Sequence, residues 1–196
     1  VSNMNAGSCY TFLWTVTDGT CVATDEVEVC VDELPIAAAG ADQDLCETSA
    51  TLSATAPTVG TGVWTLTSGT GLTFNPNDPT TGVSNLQAGQ SYTFTWTVTN
   101  GSCVVTDNVD INVDANPTNV SAGTDQELCN VTTTTLTGTS TGGTGVWTVS
   151  NSNGDLDVAI DASGNVTNMN AGTCYTFLWT VTNGTCTVTD EVDVCV

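Results

Sequence analysis

Tyr92, Phe94, Trp96 and Val98 alternate with Thr93, Thr95, Thr97 and Thr99. A two-residue period of this kind puts the large apolar side chains on one face of an extended strand. Asn100-Gly101, the pair that suits a two-residue hairpin turn, follows at once, and Val109, Ile111 and Val113 repeat the alternation on the returning segment. Upstream, 51–55 and 62–67 read as strands, separated by breaks bearing Pro and Gly at 56–60 and 75–79. No segment shows a helical period. About seven short strands, with a turn signal roughly every 8 to 12 residues, predict an all-β sandwich of two sheets.

The pattern repeats. The first 31 residues recur almost unchanged at 166–196, and a more divergent copy starts at Val83. AGADQDLC from Ala39 matches AGTDQELC from Ala122, and GTGVWTL from Gly60 matches GTGVWTV from Gly143. The unit is therefore about 82 residues, and two alternating kinds of unit make a super-repeat of about 165. The expected domains are 1–32, the C-terminal part of one sandwich, then 33–114 and 115–196, strung like beads. An isolated hairpin is marginal in water. Residues 1–32 are thus expected either as part of a longer tandem chain or as a domain completed by another chain.

Leu86-Gln-Ala-Gly-Gln-Ser-Tyr92 leads into the alternating strand, and the same form recurs at Met4 to Tyr10 and Met169 to Tyr175. A tyrosine entering the next-to-last strand, its hydroxyl bonded back to the preceding corner, is the tyrosine corner of Greek-key sandwiches. Tyr10, Tyr92 and Tyr175 are expected in that role. Trp14, Trp96 and Trp179 on the same strands, with Trp64 and Trp147 on the third strand, are expected in the cores, which leaves no row of tryptophans to stack on sugars.

AGxDQxLC, GTGVWT and YTFxWTVTNGxC followed by TDxV resemble the tandem Ig-like and PKD-like repeats of very large Bacteroidota surface proteins. These include gliding-motility adhesins exported by type IX secretion. The resemblance spans the whole chain and implies Ig-like domains at the cell surface. Modules of this kind serve as stalks, spacers or adhesive heads, so the resemblance says little about which.

Nine cysteines, no histidine and no CxxC pair point to disulfides formed in an oxidising compartment, outside the cytoplasm. In a hairpin centred on Gly19-Thr20, Cys9 stands opposite Cys30, and the same register sets Cys174 opposite Cys195. The middle unit has Ser91 and Asn112 at these places, so both cysteines are absent together. Each closed loop of about 22 residues is worth roughly 3 kcal/mol on the loop-entropy account. Cys46, Cys103, Cys129 and Cys186, with Cys21 as a fifth member, allow two pairings. Co-occurrence suggests Cys46 with Cys103 and Cys129 with Cys186 inside each domain. Sandwich topology suggests Cys46 with Cys186 of the next domain, because the first-strand cysteine and the last hairpin turn sit at opposite poles.

Charge changes the functional picture most. There are 21 carboxylates and no lysine, arginine or histidine, for a net charge of −21. Phosphate backbones and anionic lipid surfaces are repelled, since both are bound through lysine and arginine. No stretch approaches the length of an apolar membrane span. Imidazole bases, Schiff-base lysines and arginine clamps are all missing, and the acids repeat with the fold instead of converging as a glycosidase pair must. No enzyme and no organic cofactor are expected. Acids near the domain junctions, namely Asp32, Asp42, Asp44, Asp114, Asp125 and Glu127, form an oxygen-rich set of the sort calcium takes. The alternative is a solvated face that guards sheet edges. The outward threonines suit an ordinary solvated strand better than an ice-binding face. Asn-x-Ser/Thr occurs at Asn100, Asn119, Asn130, Asn165 and Asn183, two of them the Asn-Gly turns.

The expected function is the structural shaft of an extracellular filament or giant surface adhesin, its partners being neighbouring repeats and like filaments. The alternatives are a filament subunit completed by a donated strand and a module that binds surface polysaccharide. With no lysine or arginine, denatured protein incubated with trypsin is expected to keep its full mass on a gel; fragments would show cleavage elsewhere.

Overall fold

The computed structural model describes residues 1–196, and every regular element in it is a strand. The chain forms two compact units. One comprises Val1–Gln43, Ser49–Asn85 and Ser91–Asp110; the other comprises Asp44–Thr48, Leu86–Gln90 and Ile111–Val196. These bounds differ from the repeat bounds, because one end of the middle repeat, at 44–48, 86–90 and 111–114, belongs to the second unit.

In the first unit, Ser8–Asp18 and Cys21–Val31 form an antiparallel hairpin in which Cys9 faces Cys30, Tyr10 faces Val29 and Phe12 faces Val27. The middle repeat orders Gln43–Leu45, Cys103–Val113, Gln90–Asn100 and Thr61–Ser68 in one sheet and pairs Ser49–Thr51 with Gly82–Ser84 in another. Trp64, Val83, Phe94, Trp96, Val98 and Val109 are buried, each from an apolar position of its strand, and Leu52, just past the strand end at Thr51, is buried with them. Trp64 lies opposite Trp96, their rings 5.0 Å apart, and meets Phe94 edge-on at 6.3 Å. Gly62 belongs to the repeated GTGVWT because a Cβ there would overlap the Trp96 indole.

In the second unit the larger sheet runs Gln126–Glu127, Cys186–Cys195, Cys174–Asn183, Thr144–Asn151. The short first strand is parallel to its neighbour and the other pairs are antiparallel. Thr134–Thr135, Asn165–Thr167 and Ala159–Ile160 form a second sheet, and Thr118–Ser121 pairs with Thr139–Thr141. Leu136, Trp147, Val166, Met169, Tyr175, Phe177, Val192 and Val194 make the core, with Trp179 half-buried beside them. Trp179 donates to the Thr139 carbonyl at 3.2 Å. Its counterpart Trp96 has a buried Nε1 with no acceptor. The segment equivalent to Thr139–Thr141 there contains Pro57, which has no N–H for a ladder, and it forms no strand.

The hairpin at the start departs from expectation. Trp14 is 73% exposed, not part of a core, and Val16 and Val27 are 53% and 57% exposed; Tyr10 is half-buried. The physical reason is that the hairpin is a two-stranded sheet with no second sheet against its apolar face. Trp96 and Trp179 are each met by the tryptophan of a third strand, which Trp14 lacks.

The tyrosine corner is formed. Tyr175 is buried; its hydroxyl accepts from the Asn170 N–H at 2.7 Å and donates to Asp155 at 2.7 Å. Burial raises the Tyr175 pKa, and the neighbouring carboxylate adds to the rise. The Tyr10 hydroxyl accepts from the Asn5 N–H at 2.8 Å, and Tyr92 is buried at the matching place. Replacing Tyr175 by Phe leaves the Asn170 N–H without its acceptor and should cost about 1 to 2 kcal/mol, read as a lower midpoint in urea. An unchanged midpoint would show that water replaces the hydroxyl without loss.

Candidate functional site

The features that recur with the repeat and do more than fill a core lie where one repeat leads into the next. The last hairpins of the second and third repeats turn through Asn-Gly, with Gly101 at φ +56° and Gly184 at +57°, a region glycine enters without strain. Just past the turn, the Ser102 N–H and hydroxyl donate to Asp32 Oδ2 at 2.7 and 3.0 Å, while Asn100 Nδ2 donates to the Glu33 carbonyl at 2.8 Å. The second instance is nearly superimposable in chemistry. The Thr185 N–H and hydroxyl donate to Asp114 Oδ2 at 2.6 and 2.9 Å, and Asn183 Nδ2 donates to the Ala115 carbonyl at 2.7 Å. A Cβ on Gly101 or Gly184 would overlap the Asp32 or Asp114 carboxylate. Glycine is therefore required twice over, by the turn and by the aspartate that the turn receives. Backbone N–H donation, followed by the hydroxyl, holds both Asp32 and Asp114 below the usual carboxylate pKa.

Beside the second latch lies a disulfide between Cys46 and Cys186, 140 residues apart in sequence with Cα atoms 5.0 Å apart. The Asp114 N–H donates to the Leu45 carbonyl at 2.7 Å, so the backbone brings the residue before Cys46 to the linker whose aspartate receives the Cys186 turn. Of the two pairings open from sequence, the one that runs from a first strand to the following repeat is the one formed. Cys46 does not pair with Cys103, nor Cys129 with Cys186; Cys103, Cys129 and Cys21 are free thiols. Within a sandwich the first strand's cysteine and the last turn lie at opposite poles, too far apart for one bond. Cys9–Cys30 and Cys174–Cys195 are cross-strand disulfides between directly opposed residues, each with Cα atoms 3.9 Å apart.

Five of the six acids considered for calcium are placed as hydrogen-bond acceptors. Besides Asp32 and Asp114, Asp42 accepts from the Asp110 N–H at 2.9 Å, Asp125 from the Asp193 N–H at 3.0 Å, and Asp44 from Asn112 Nδ2 at 3.0 Å. No three of the six, Glu127 included, gather within ligating distance of one another. Cys9, Glu28 and Cys30 do gather, but both sulfurs are spent in the disulfide. Asp107 and Asp190, read from sequence only as part of a charged last strand, receive the Ala39 and Ala122 N–H groups at 2.8 Å each. Their signal was present in the repeated TDxV, whose aspartate occurs at the same place in each copy.

Two open clefts accompany these features. One, of ≈ 390 Å³, is bordered by Cys9, Cys30, Asp32, Glu33, Gly60 and Asn100. The other, of ≈ 440 Å³, is bordered by Thr132, Asp157, Asn168, Met169 and Asn170. Neither brings a nucleophile together with a base.

No protein-family description matches the chain, and no curated protein sequence matches it. Solved structures do. A three-Ig segment of titin is 11% identical, with 98% of this chain and 76% of that one covered at a TM-score of 0.53. Extracellular domains 3–5 of Drosophila OTK are 13% identical, covering 98% and 72% at a TM-score of 0.50. These likenesses establish tandem Ig-like domains as the fold. A SusE-like surface located polysaccharide binding protein from Bacteroides thetaiotaomicron covers 85% of this chain and 35% of its own at a TM-score of 0.33, too distant to bear on function.

The latches set a pH dependence. Asp32 and Asp114 have lowered folded-state pKa values, so their stabilisation is full above the unfolded value of about 3.9 and is lost as pH falls through the folded values. Melting from pH 6 to pH 2 should therefore show a steeper acid loss in the wild type than in the Asp32→Asn/Asp114→Asn double variant. Parallel curves would mean the latches add nothing beyond the other acids.

Proposed function

We propose that the chain is a segment of a load-bearing extracellular shaft, in a surface filament or adhesin, whose repeats are joined covalently end to end. The observation that carries this reading is the Cys46–Cys186 disulfide. It ties the first strand region of one sequence repeat to the last hairpin of the next, a bond of little use to a freely hinged string of binding heads. The cross-strand disulfides Cys9–Cys30 and Cys174–Cys195 support it by closing the terminal hairpins. Three disulfides accord with an oxidising compartment. The net charge of −21 keeps neighbouring shafts apart and soluble. In this reading the junction carboxylates serve the latches and not a cation, and the chain is no enzyme. Membership of a Bacteroidota gliding-motility system, with PKD-like modules and type IX export, remains part of the proposal on the motif resemblance alone.

The exposed apolar face of Trp14, Val16 and Val27 favours a second reading, in which separate subunits polymerise and a neighbour completes the first sandwich. A polysaccharide site has weaker support, because Trp14 is the one strongly exposed aromatic.

Immunogold labelling of intact source cells with antibody raised to this chain should mark extended surface fibres; label confined to permeabilised cells would overturn the proposal. On a reducing gel of the native material, a band far above the 20.0 kDa of these residues supports a giant tandem protein. A band near that mass supports the polymerising subunit.

A further inference from the structure

Three thiols are left over by the bonds described above, and the internal repeat says what each is for. Cys46 and Cys129 occupy the same place in AGxDQxLC, the early position of a repeat. Cys21, Cys103 and Cys186 occupy the same place just past a last-hairpin turn, the late position. The one bond formed between these two classes joins an early cysteine to the late cysteine of the next repeat. Cys129 is early with no following repeat among these residues, and Cys103 and Cys21 are late with no early cysteine of a preceding repeat among these residues.

The late position is already built at Cys103. Cys186 is presented by the Asp114 latch, with Thr185 and Asn183 as donors. Cys103 is presented by the Asp32 latch, with Ser102 and Asn100 in the same roles at distances that agree to about 0.1 Å. Cys103 is half-buried and Cys129 exposed, so both retain access to a partner. The two kinds of repeat alternate with a period of about 165 residues. Under the early-to-late rule, Cys46–Cys186 is then one kind of staple, and the other joins a Cys129-type position to the Cys103-type position of the repeat after it. Both kinds together use every cysteine that the cross-strand bonds do not.

We propose that Cys103 and Cys129 are the two halves of a second inter-repeat disulfide, each bonded to a further copy of this module. Cys129 takes the late cysteine of a following copy and Cys103 takes the early cysteine of a preceding one. This rests on the shaft reading and extends it from one junction to all. In chemical terms, two thiols lose two protons and two electrons and one S–S bond forms. The electrons pass to the disulfide of a thiol oxidoreductase, which leaves as a dithiol after exchange through a mixed disulfide.

The test is disulfide mapping of native material extracted without reductant, with free thiols blocked by N-ethylmaleimide before denaturation. Glu-specific and Asp-specific proteases serve for digestion, since trypsin has no site here. The result expected is a linked pair of peptides, one carrying Leu128-Cys129 or its equivalent and the other the Gly101-Ser102-Cys103 turn or its equivalent, with little alkylated Cys103 or Cys129. Stoichiometric alkylation of either would overturn the proposal. So would Cys103–Cys103 or Cys129–Cys129 links, or a Cys103–Cys129 link in material that runs as a single 20.0 kDa copy on a non-reducing gel. The gel also separates the two sources of the partner. High mass that survives reduction places the copies in one polypeptide, and a ladder that collapses places them in separate chains. Surface labelling can fail while these bonds are found, or the reverse, so failure of the shaft reading and failure of the staple are told apart.

Discussion

A chain with 21 carboxylates and no side-chain cation has no Asp or Glu ion pair with lysine, arginine or histidine anywhere in its fold. Each structural carboxylate must instead be met by a dipole, a backbone N–H or a hydroxyl. The hydrogen bonds obey that constraint throughout. Asp32 and Asp114 take the turns of the last hairpins, Asp107 and Asp190 take Ala39 and Ala122, and Asp42 and Asp125 take the strand backbone at Asp110 and Asp193. Bonds of this charge-assisted kind are stronger than neutral ones and fix direction as well as distance. They also depend on the carboxylate staying ionised, which ties the integrity of the junctions to pH.

The same constraint moves covalent reinforcement onto cysteine, because crosslinks that use lysine are chemically out of reach. Cross-strand disulfides close the first and third hairpins, and the middle hairpin, with Ser91 and Asn112, goes without. The Cys46–Cys186 bond does something different. It sets a latch and a covalent link side by side around Asp114, so that the linker between two sequence repeats is held by hydrogen bonds and bridged by sulfur.

Much of this is legible in the sequence itself. Strand alternation gave the registers of the first and third hairpins, and with them Cys9 opposite Cys30 and Cys174 opposite Cys195, because a hairpin's register follows from its turn. The tyrosine corner was legible in Met169 to Tyr175 because it is local. What escaped was non-local. Nothing in the sequence near Cys46 distinguishes Cys103 from Cys186 as its partner; that depends on which pole of a sandwich each occupies. Trp14 is exposed where the pattern marks a core position, because the alternation that marks an inward face does not reveal whether a second sheet covers it. The hydrogen bonds that Asp42 and Asp125 accept from the Asp110 and Asp193 N–H groups are equally illegible, since a backbone donor carries no sequence signature.

The central claim is that sulfur joins successive repeats and carries load past the fold. Single-molecule pulling from the two ends tests it most directly, comparing oxidised wild type with the Cys46→Ser/Cys186→Ser variant, both with their cross-strand disulfides intact. The account predicts a fully stretched variant about 400 Å longer than wild type, because roughly 120 residues that the disulfide bypasses enter the load path at about 3.4 Å each. Equal lengths would mean that Cys46 and Cys186 are not joined in solution, and the account would be wrong.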